Sequence, residues 1–307
     1  MVLPNFIIPG AEKGGTTPLF RLLKQHRDIH MPAIKELQYF TRNFDRRLPA
    51  QYEWQMSAGY HGQKAVGEAT PEYMRFATAA QRIRALLGDE VKFIFCLRDP
   101  TTRAFSHYLQ CMRMTEESES FERAIELEPA RLARRWYLNQ RRAYVKGGMY
   151  TEQIERFLAI YPREQMRFLI LEEDLHGGKR ALKKTAARMF EFLGVDPAFE
   201  VNLNIPDTRL PALDIAFVKR GQTVHNPDNK KPAPAGSIVV NAYIKGANRV
   251  IRRPSNATRR YYERLQKVMT RKLAPELRVT LYEKYFRDEI DRMERLLERD
   301  LSLWRPR

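Results

Sequence analysis

The chain has 307 residues, enough for one large α/β domain or two small ones and enough to bury a sizeable core. Hydrophobic residues make up 43% and charged residues 30%, which excludes a disordered chain and fits a globular one. The net charge of +17 says nothing about fold but calls for anionic partners: nucleotides, nucleic acid, an acidic surface or an acidic substrate.

The first stretch, 3–19, organises the rest. An apolar run, Phe6-Ile7-Ile8, reads as a buried strand. It meets the glycine turn Gly10-Ala11-Glu12-Lys13-Gly14-Gly15, then Thr16 and Thr17, then a helical pattern built on Leu19, Phe20, Leu22 and Leu23 that should end near His26. Strand, glycine turn and helix start make an anion cradle. The first-turn N–H groups lack helical partners, and the helix dipole favours negative charge there. The nucleotide-triphosphate loop G-x-x-x-x-G-K-[ST] is not matched: Gly10 and Gly15 have its separation, but Thr16 stands where its lysine belongs and Lys13 lies back in the turn. The stretch therefore reads as a phosphate loop for a nucleotide other than a magnesium-bound triphosphate. A plain strand-to-helix turn with a solvated lysine is the alternative. The proline and glycine interruptions at Pro4, Pro9 and Gly10, with no basic leader, argue against a signal peptide.

The segment Lys35-Glu36-Leu37-Gln38-Tyr39-Phe40 sets a Lys-Glu pair directly before apolar and aromatic residues, and taken alone reads as a solvated pair at a loop edge. Residues 42–62 read as irregular. Residues 64–73 read as a short strand into a turn, and 77–87 as a helix stopped by Gly88. The continuous apolar run 91–97 marks a strand covered on both faces. Asp99 is a plausible N-cap and Pro100 suits the first helical position of the helix that follows. Arg98 at the end of that strand, with Arg103 and Ser106 on the helix, would suit a phosphate. Helices over 121–137 and 151–161, a strand over 166–171, and an amphipathic helix over 179–193 closed by Gly194 come next. Strands alternating with helices predict a three-layer α/β/α fold with a central, mostly parallel sheet.

Residues 219–260 hold ten lysines and arginines against one acid, Asp228, and are broken by Pro227, Pro232, Pro234 and Gly236. They read either as a solvated basic loop or as a lid over an anionic ligand. A long helix over 275–300 follows, its Leu277, Leu281, Tyr285, Met293 and Leu297 set to pack on the core. No run approaches the roughly 18 apolar residues of a membrane span. Two cysteines, Cys96 and Cys111, supply no disulfide framework, so a reducing cytoplasm is expected. No H-E-x-x-H, Cys-x-x-Cys or acidic cluster suggests a metal.

Taken together, the glycine turn 10–17, Lys35 to Phe40, and Arg98-Asp99-Pro100 through Arg103, Ser106 and Tyr108 resemble sulfotransferases that use 3′-phosphoadenosine 5′-phosphosulfate (PAPS). The similarity is to the heparan-sulfate-type branch and its bacterial small-molecule relatives. Gly67-Glu68-Ala69-Thr70-Pro71-Glu72-Tyr73, Gly148-Met149-Tyr150, Phe192-Leu193-Gly194 and Arg299 to Trp304 extend it along the chain. The resemblance implies the sulfotransferase fold as a single domain over 1–307. It implies that Lys13 and the backbone of Gly14, Gly15, Thr16 and Thr17 hold the 5′-phosphosulfate, and that Arg98 and Ser106 hold the 3′-phosphate. Glu36 takes the place of the general base, with Lys35 beside it, and PAP is the product. Ala69 departs from the lysine that heparan-specific members often carry, which weakens a heparan assignment. In other branches the base is a histidine; His107 is read here as packing or capping.

Three functions are weighed. The first is PAPS-dependent O-sulfation of a small-molecule, glycan or lipid hydroxyl. The second, a nucleotide or metabolite kinase on the same loop, is disfavoured by the displaced lysine and missing magnesium ligands. The third, a nucleic-acid binder, rests on charge alone, with no RNA or DNA module visible. Acceptor identity and oligomeric state are not encoded in any of these motifs.

Overall fold

The computed structural model describes residues 2–41, 44, 49–114, 116–134, 140–204, 214–217, 238–241, 249–251, 255–256, 258, 260, 262–263 and 272–306. The chain divides into two compact units, one made of 1–104, 145–207 and 275–307, the other of 105–144 and 208–274.

The first unit is built on a five-stranded sheet: β1 (Phe6–Ile8), β2 (Ile29–His30), β3 (Ala65–Ala69), β4 (Lys92–Leu97) and β5 (Met166–Ile170). Their order is β2-β3-β1-β4-β5 and every pairing is parallel. Between them run α1 (Thr16–Leu23), α2 (Pro49–Ser57), α3 (Glu72–Arg75), α4 (Ala79–Leu87), the start of α5 (Pro100–Arg113), and, after α6 (Phe121–Arg134) of the second unit, α7 (Tyr150–Leu158). Phe93, Phe95 and Leu97 of β4 face one apolar cluster with Phe157, Phe286 and Trp304; Ile94 and Cys96 face the other with Leu19, Leu169 and Met189. Alternate side chains thus go to opposite faces of a sheet covered on both sides, which is why β4 reads as an unbroken apolar run.

Two expectations change in detail, and the helix closed by Gly194 is found as read. A helix, α2, lies inside the segment 42–62 read as irregular; only Tyr52 and Met56, one turn apart, are buried on it, so its periodicity is faint. After β5, α8 (Lys179–Leu193) ends at Gly194, whose φ of +75 takes the left-handed cap position. The long terminal helix is interrupted: α9 (Pro275–Leu281) passes through a wide π turn, Tyr282–Phe286, into α10 (Arg287–Leu297). That turn buries both Tyr282 and Phe286, a pair that an unbroken helix would place a little over one turn apart.

In the second unit α5 continues and α6 (Phe121–Arg134) follows. The Glu117 carboxylate there accepts Arg131 Nη1 at 2.6 Å and Tyr144 Oη at 3.0 Å; burial pushes its pKa up, but these partners, Arg131 first, hold it below the usual carboxylate range. His107 is buried with its ring edge-on to Tyr144, as packing predicts. The basic segment 219–260 is not all loop: β7 (Ile238–Asn241) pairs antiparallel with β6 (Asp214–Phe217) and with β8 (Arg249–Ile251). Residues 218–237, with the prolines and Asp228, lie outside the described residues. Among the described residues no helix is long and apolar enough to cross a membrane.

Candidate active site

The chain turns outward after β1 to form α1 and β2 on one side, while β4 and β5 lie on the other, so the sheet changes direction between β1 and β4. Crevices at the carboxyl ends of strands at such a point are where open parallel sheets bind ligands.

The glycine turn sits there and is tied to β4 twice. Ala11 N donates to Cys96 O and Cys96 N donates to Gly10 O, both at 2.7 Å. Gly14 lies so close that a Cβ would stand 2.2 Å from Cys96 O, a backbone atom that cannot swing away. Gly15 caps α1 with φ +104, and no side chain caps the helix. The first turn of α1 carries no acidic residue. Its N–H groups and dipole therefore suit an anion, and the cradle fits a phosphate. Lys13 has φ +67, a left-handed conformation that costs a non-glycine residue about 1–3 kcal/mol and clusters at functional positions. Glu12 points to Arg75 at the end of α3, 2.8 Å away.

Arg98 follows β4, two residues past Cys96. Its Nε donates to Thr102 Oγ1 at 3.1 Å, and its carbonyl accepts the buried Tyr150 hydroxyl at 2.9 Å. Asp99 caps α5, accepting Thr101 N at 2.9 Å, while its own N–H donates to Glu172 Oε1 at 3.1 Å. Burial holds the Glu172 carboxyl above the usual range. Arg103 is not an open prong. It is wholly buried, its Nη1 makes a long 3.5 Å contact with Glu12 O, and its guanidinium lies against Gly147, where a Cβ would come within 3.0 Å. It braces the glycine turn from behind. Ser106 lies half-buried on α5, in the second unit.

Glu36 arrives from the other side of β1. Its N–H donates to Ala69 O, the last carbonyl of β3, at 3.1 Å. Ala69 pairs with Ile8, the last residue of β1. Its carboxylate is half-exposed and receives Lys35 Nζ at 2.5 Å; Lys35 is itself 16% exposed. The Lys35 charge reaches the Cys96 thiol, lowering a pKa that burial drives up. Glu36 and Gln38 both have left-handed backbones, φ +67 and +57. The three motifs thus ride on the carboxyl ends of three neighbouring strands, β3, β1 and β4.

Glu68, to which the sequence motifs assign no role, lies in the middle of this. It is fully buried in β3 and accepts three hydroxyls: Tyr52 Oη at 2.5 Å, Thr70 Oγ1 at 2.6 Å and Tyr73 Oη at 2.7 Å. Burial raises its pKa and the three donors hold it back. A carboxylate inside a strand whose other members are small and apolar, with hydroxyls two and five positions on, was the available signal. His26 and His30 reach backbone carbonyls: Asp196 O at 3.1 Å and Met56 O at 2.6 Å.

The family model described as sulfotransferase domain matches residues 3–210. The chain is 32% identical over 197 residues to human heparan sulfate glucosamine 3-O-sulfotransferase 3B1, covering 63% of this chain and 46% of that protein. It is 31% identical over 199 residues to the mouse heparan sulfate glucosamine 3-O-sulfotransferase 6, covering 62% and 52%. The chain spans about half the length of the curated relatives it matches. Among solved structures, a sulfotransferase from Alicyclobacillus acidocaldarius superposes with a TM-score of 0.67 at 25% identity, covering 99% of both chains.

Proposed function

We propose that this chain, which belongs to the sulfotransferase domain family, moves a sulfuryl group from PAPS to a hydroxyl of a carbohydrate acceptor. The observation that carries the reading is the meeting of the glycine turn, Arg98 and the Lys35-Glu36 pair at the ends of adjacent strands. The proposal takes 1–307 as one sulfotransferase domain with a basic insertion near 219–260.

Lys13 and the N–H groups of Gly14 to Thr17 would hold the 5′-phosphosulfate, and Arg98, with Ser106, the 3′-phosphate. The donor supplies an electrophilic sulfur on a phosphate leaving group. Glu36 takes the proton of the acceptor hydroxyl as its oxygen bonds to sulfur; such general-base help is worth about 10²–10⁴-fold. Lys13 neutralises the charge gathering on the bridging oxygen as the old S–O bond breaks, the role of a preorganised cation. Lys35 donates a charge-assisted hydrogen bond to Glu36 and so helps hold that carboxylate in place.

The names of the relatives support a carbohydrate hydroxyl, and the +17 charge supports an anionic one. Ala69, where the resemblance expects lysine, leaves other hydroxylated acceptors in play. Two buried thiols, Cys96 and Cys111, support a reducing compartment, the cytoplasm. The test is transfer of radiolabel from PAPS to heparan sulfate and to a panel of hydroxylated small molecules and lipids, with labelled ATP in parallel. Transfer from PAPS with none from ATP is expected; phosphoryl transfer from ATP would replace this reading with a kinase.

A further inference from the structure

Among the described residues the segment 36–40 has no strand partner, yet it is anchored at every second residue. Glu36 N donates to Ala69 O at 3.1 Å, Gln38 N to Thr70 Oγ1 at 3.3 Å and Phe40 N to Tyr73 Oη at 3.4 Å. The last two acceptors are hydroxyls, each with a single proton. Both spend it on the same atom, Glu68 Oε1. That fixes their lone pairs toward the segment, where Gln38 and Phe40 use them. The other oxygen of Glu68 takes the Tyr52 hydroxyl, and the Tyr52 ring stacks on Tyr39 at 4.4 Å and meets Phe40 edge-on at 5.4 Å. One buried carboxylate therefore sets the direction of both hydroxyls on which 38–40 rests and holds the hydroxyl of Tyr52, whose ring packs against that segment.

The segment needs such support. Glu36 and Gln38 hold left-handed backbones, a conformation that persists only where the surroundings over-determine it. The side chain of Glu36 is half-exposed, so its aim comes from its backbone more than from packing around its carboxylate.

We propose that Glu68 is a positioning residue for sulfuryl transfer: through Thr70 and Tyr73 it locks the segment that aims Glu36 at the acceptor hydroxyl. This rests on Glu36 being the general base. Glu68 is the last charged residue of β3, directly before Ala69, whose carbonyl receives the Glu36 N–H, so the two anchors act on one short length of chain.

The experiment is a double-mutant cycle of Glu68→Leu and Glu36→Gln, read as single-turnover sulfuryl transfer from labelled PAPS to heparan sulfate, or to whichever panel hydroxyl accepts label, together with PAP affinity. Glu68→Leu should lower the transfer rate about 10²-fold, the scale of an ångström-sized misplacement of a catalytic group. PAP affinity should hold, because no Glu68 contact reaches the glycine turn directly. Glu68→Gln keeps an acceptor oxygen for Thr70 and Tyr73 and should restore most of the rate. In the Glu36→Gln background, Glu68→Leu should add no further loss, since a group that acts through another has nothing left to act through. Tyr73→Phe and Thr70→Val each remove one relaying hydroxyl with little change of shape. They run through the same cycle should Glu68→Leu fail to fold. Equal losses in both backgrounds, or loss of PAP binding alongside rate, would overturn the positioning role while leaving Glu36 as base. Normal turnover by Glu36→Gln alone would overturn the base assignment and this inference with it.

Discussion

Glu12 and Arg75 meet at 2.8 Å, one inside the glycine turn and the other at the end of α3. The Arg75 side chain is 7% exposed and that of Glu12 19%, so the pair is largely out of water. Beside it, Met74 N donates to Pro9 O at 2.7 Å, fastening α3 to the start of the same turn. Removing one member of a buried pair costs about 3–5 kcal/mol, because the other charge stays behind uncompensated. Arg75→Met should therefore destabilise the protein by about 3 kcal/mol, toward the low end because Glu12 keeps some solvent. Urea unfolding monitored by circular dichroism measures it, and an unmoved midpoint would refute the coupling.

Lys13 carries a charge and a left-handed backbone at once, and two substitutions separate them. Lys13→Ala loses the ammonium and keeps the strained φ. Lys13→Gly loses the ammonium and relieves it. Both should lower kcat by about 10²–10³-fold, as removal of a preorganised electrostatic group does. Only the glycine variant should match or exceed the wild-type melting temperature. Near-normal turnover in either variant would remove Lys13 from the chemistry.

Gly14 tests the cradle's shape rather than its charge. An added methyl would stand 2.2 Å from Cys96 O and 3.0 Å from Ala11 O, both backbone atoms. Gly14→Ala must push the turn off β4, so PAP binding should be lost together with the two hydrogen bonds between turn and strand. Calorimetric titration with PAP reads the first, and amide exchange at Ala11 and Cys96 reads the second. Wild-type affinity would show that the nucleotide is held elsewhere.

A pH dependence follows from Glu289, 4% exposed on α10. Burial raises its pKa, against donation from Thr151 and the charge of Arg292. The folded protein thus keeps this proton to higher pH than the unfolded chain does. Its stabilising contribution is complete below the unfolded value, about 4.3, and is lost as pH rises through the folded one. Glu289→Gln keeps an acceptor for Thr151 N and Oγ1, at 2.7 and 2.8 Å in the native carboxylate, and carries no charge. It should melt with wild type at about pH 4 and above wild type at about pH 8. Calorimetric scans across that range check it; a gap that opens toward acid would reverse the sign and refute the argument.

Much of this was legible because local rules and tertiary packing agreed. β4 reads as a doubly covered strand, Asp99-Pro100 as a helix start and Gly194 as a helix stop, and each is found in place. The glycine turn was legible as a tight strand-to-helix turn, and only glycine fits at position 14 against Cys96 O. What stayed hidden depends on contacts between distant segments. Arg103 looked like an open cation, but its burial is decided by Gly147, more than forty positions on. Glu68 looked like one more polar residue in a motif, and its meaning comes from Tyr52 on α2, a helix whose own pattern is too weak to read. Lys35 and Glu36 taken alone resembled an ordinary exposed pair; only the parallel register of β3 against β1 brings them beside the turn.

The double tie between Cys96 and the turn has one more meaning. The Cys96 amide and carbonyl are both engaged by residues 10 and 11, which fastens the loop to the strand from both sides. On the proposed function, such a receptor would ask for little folding at the moment of capture. A nucleotide entering it would spend little of its affinity on ordering the protein, and discrimination at that end would become a matter of fit to a fixed mould.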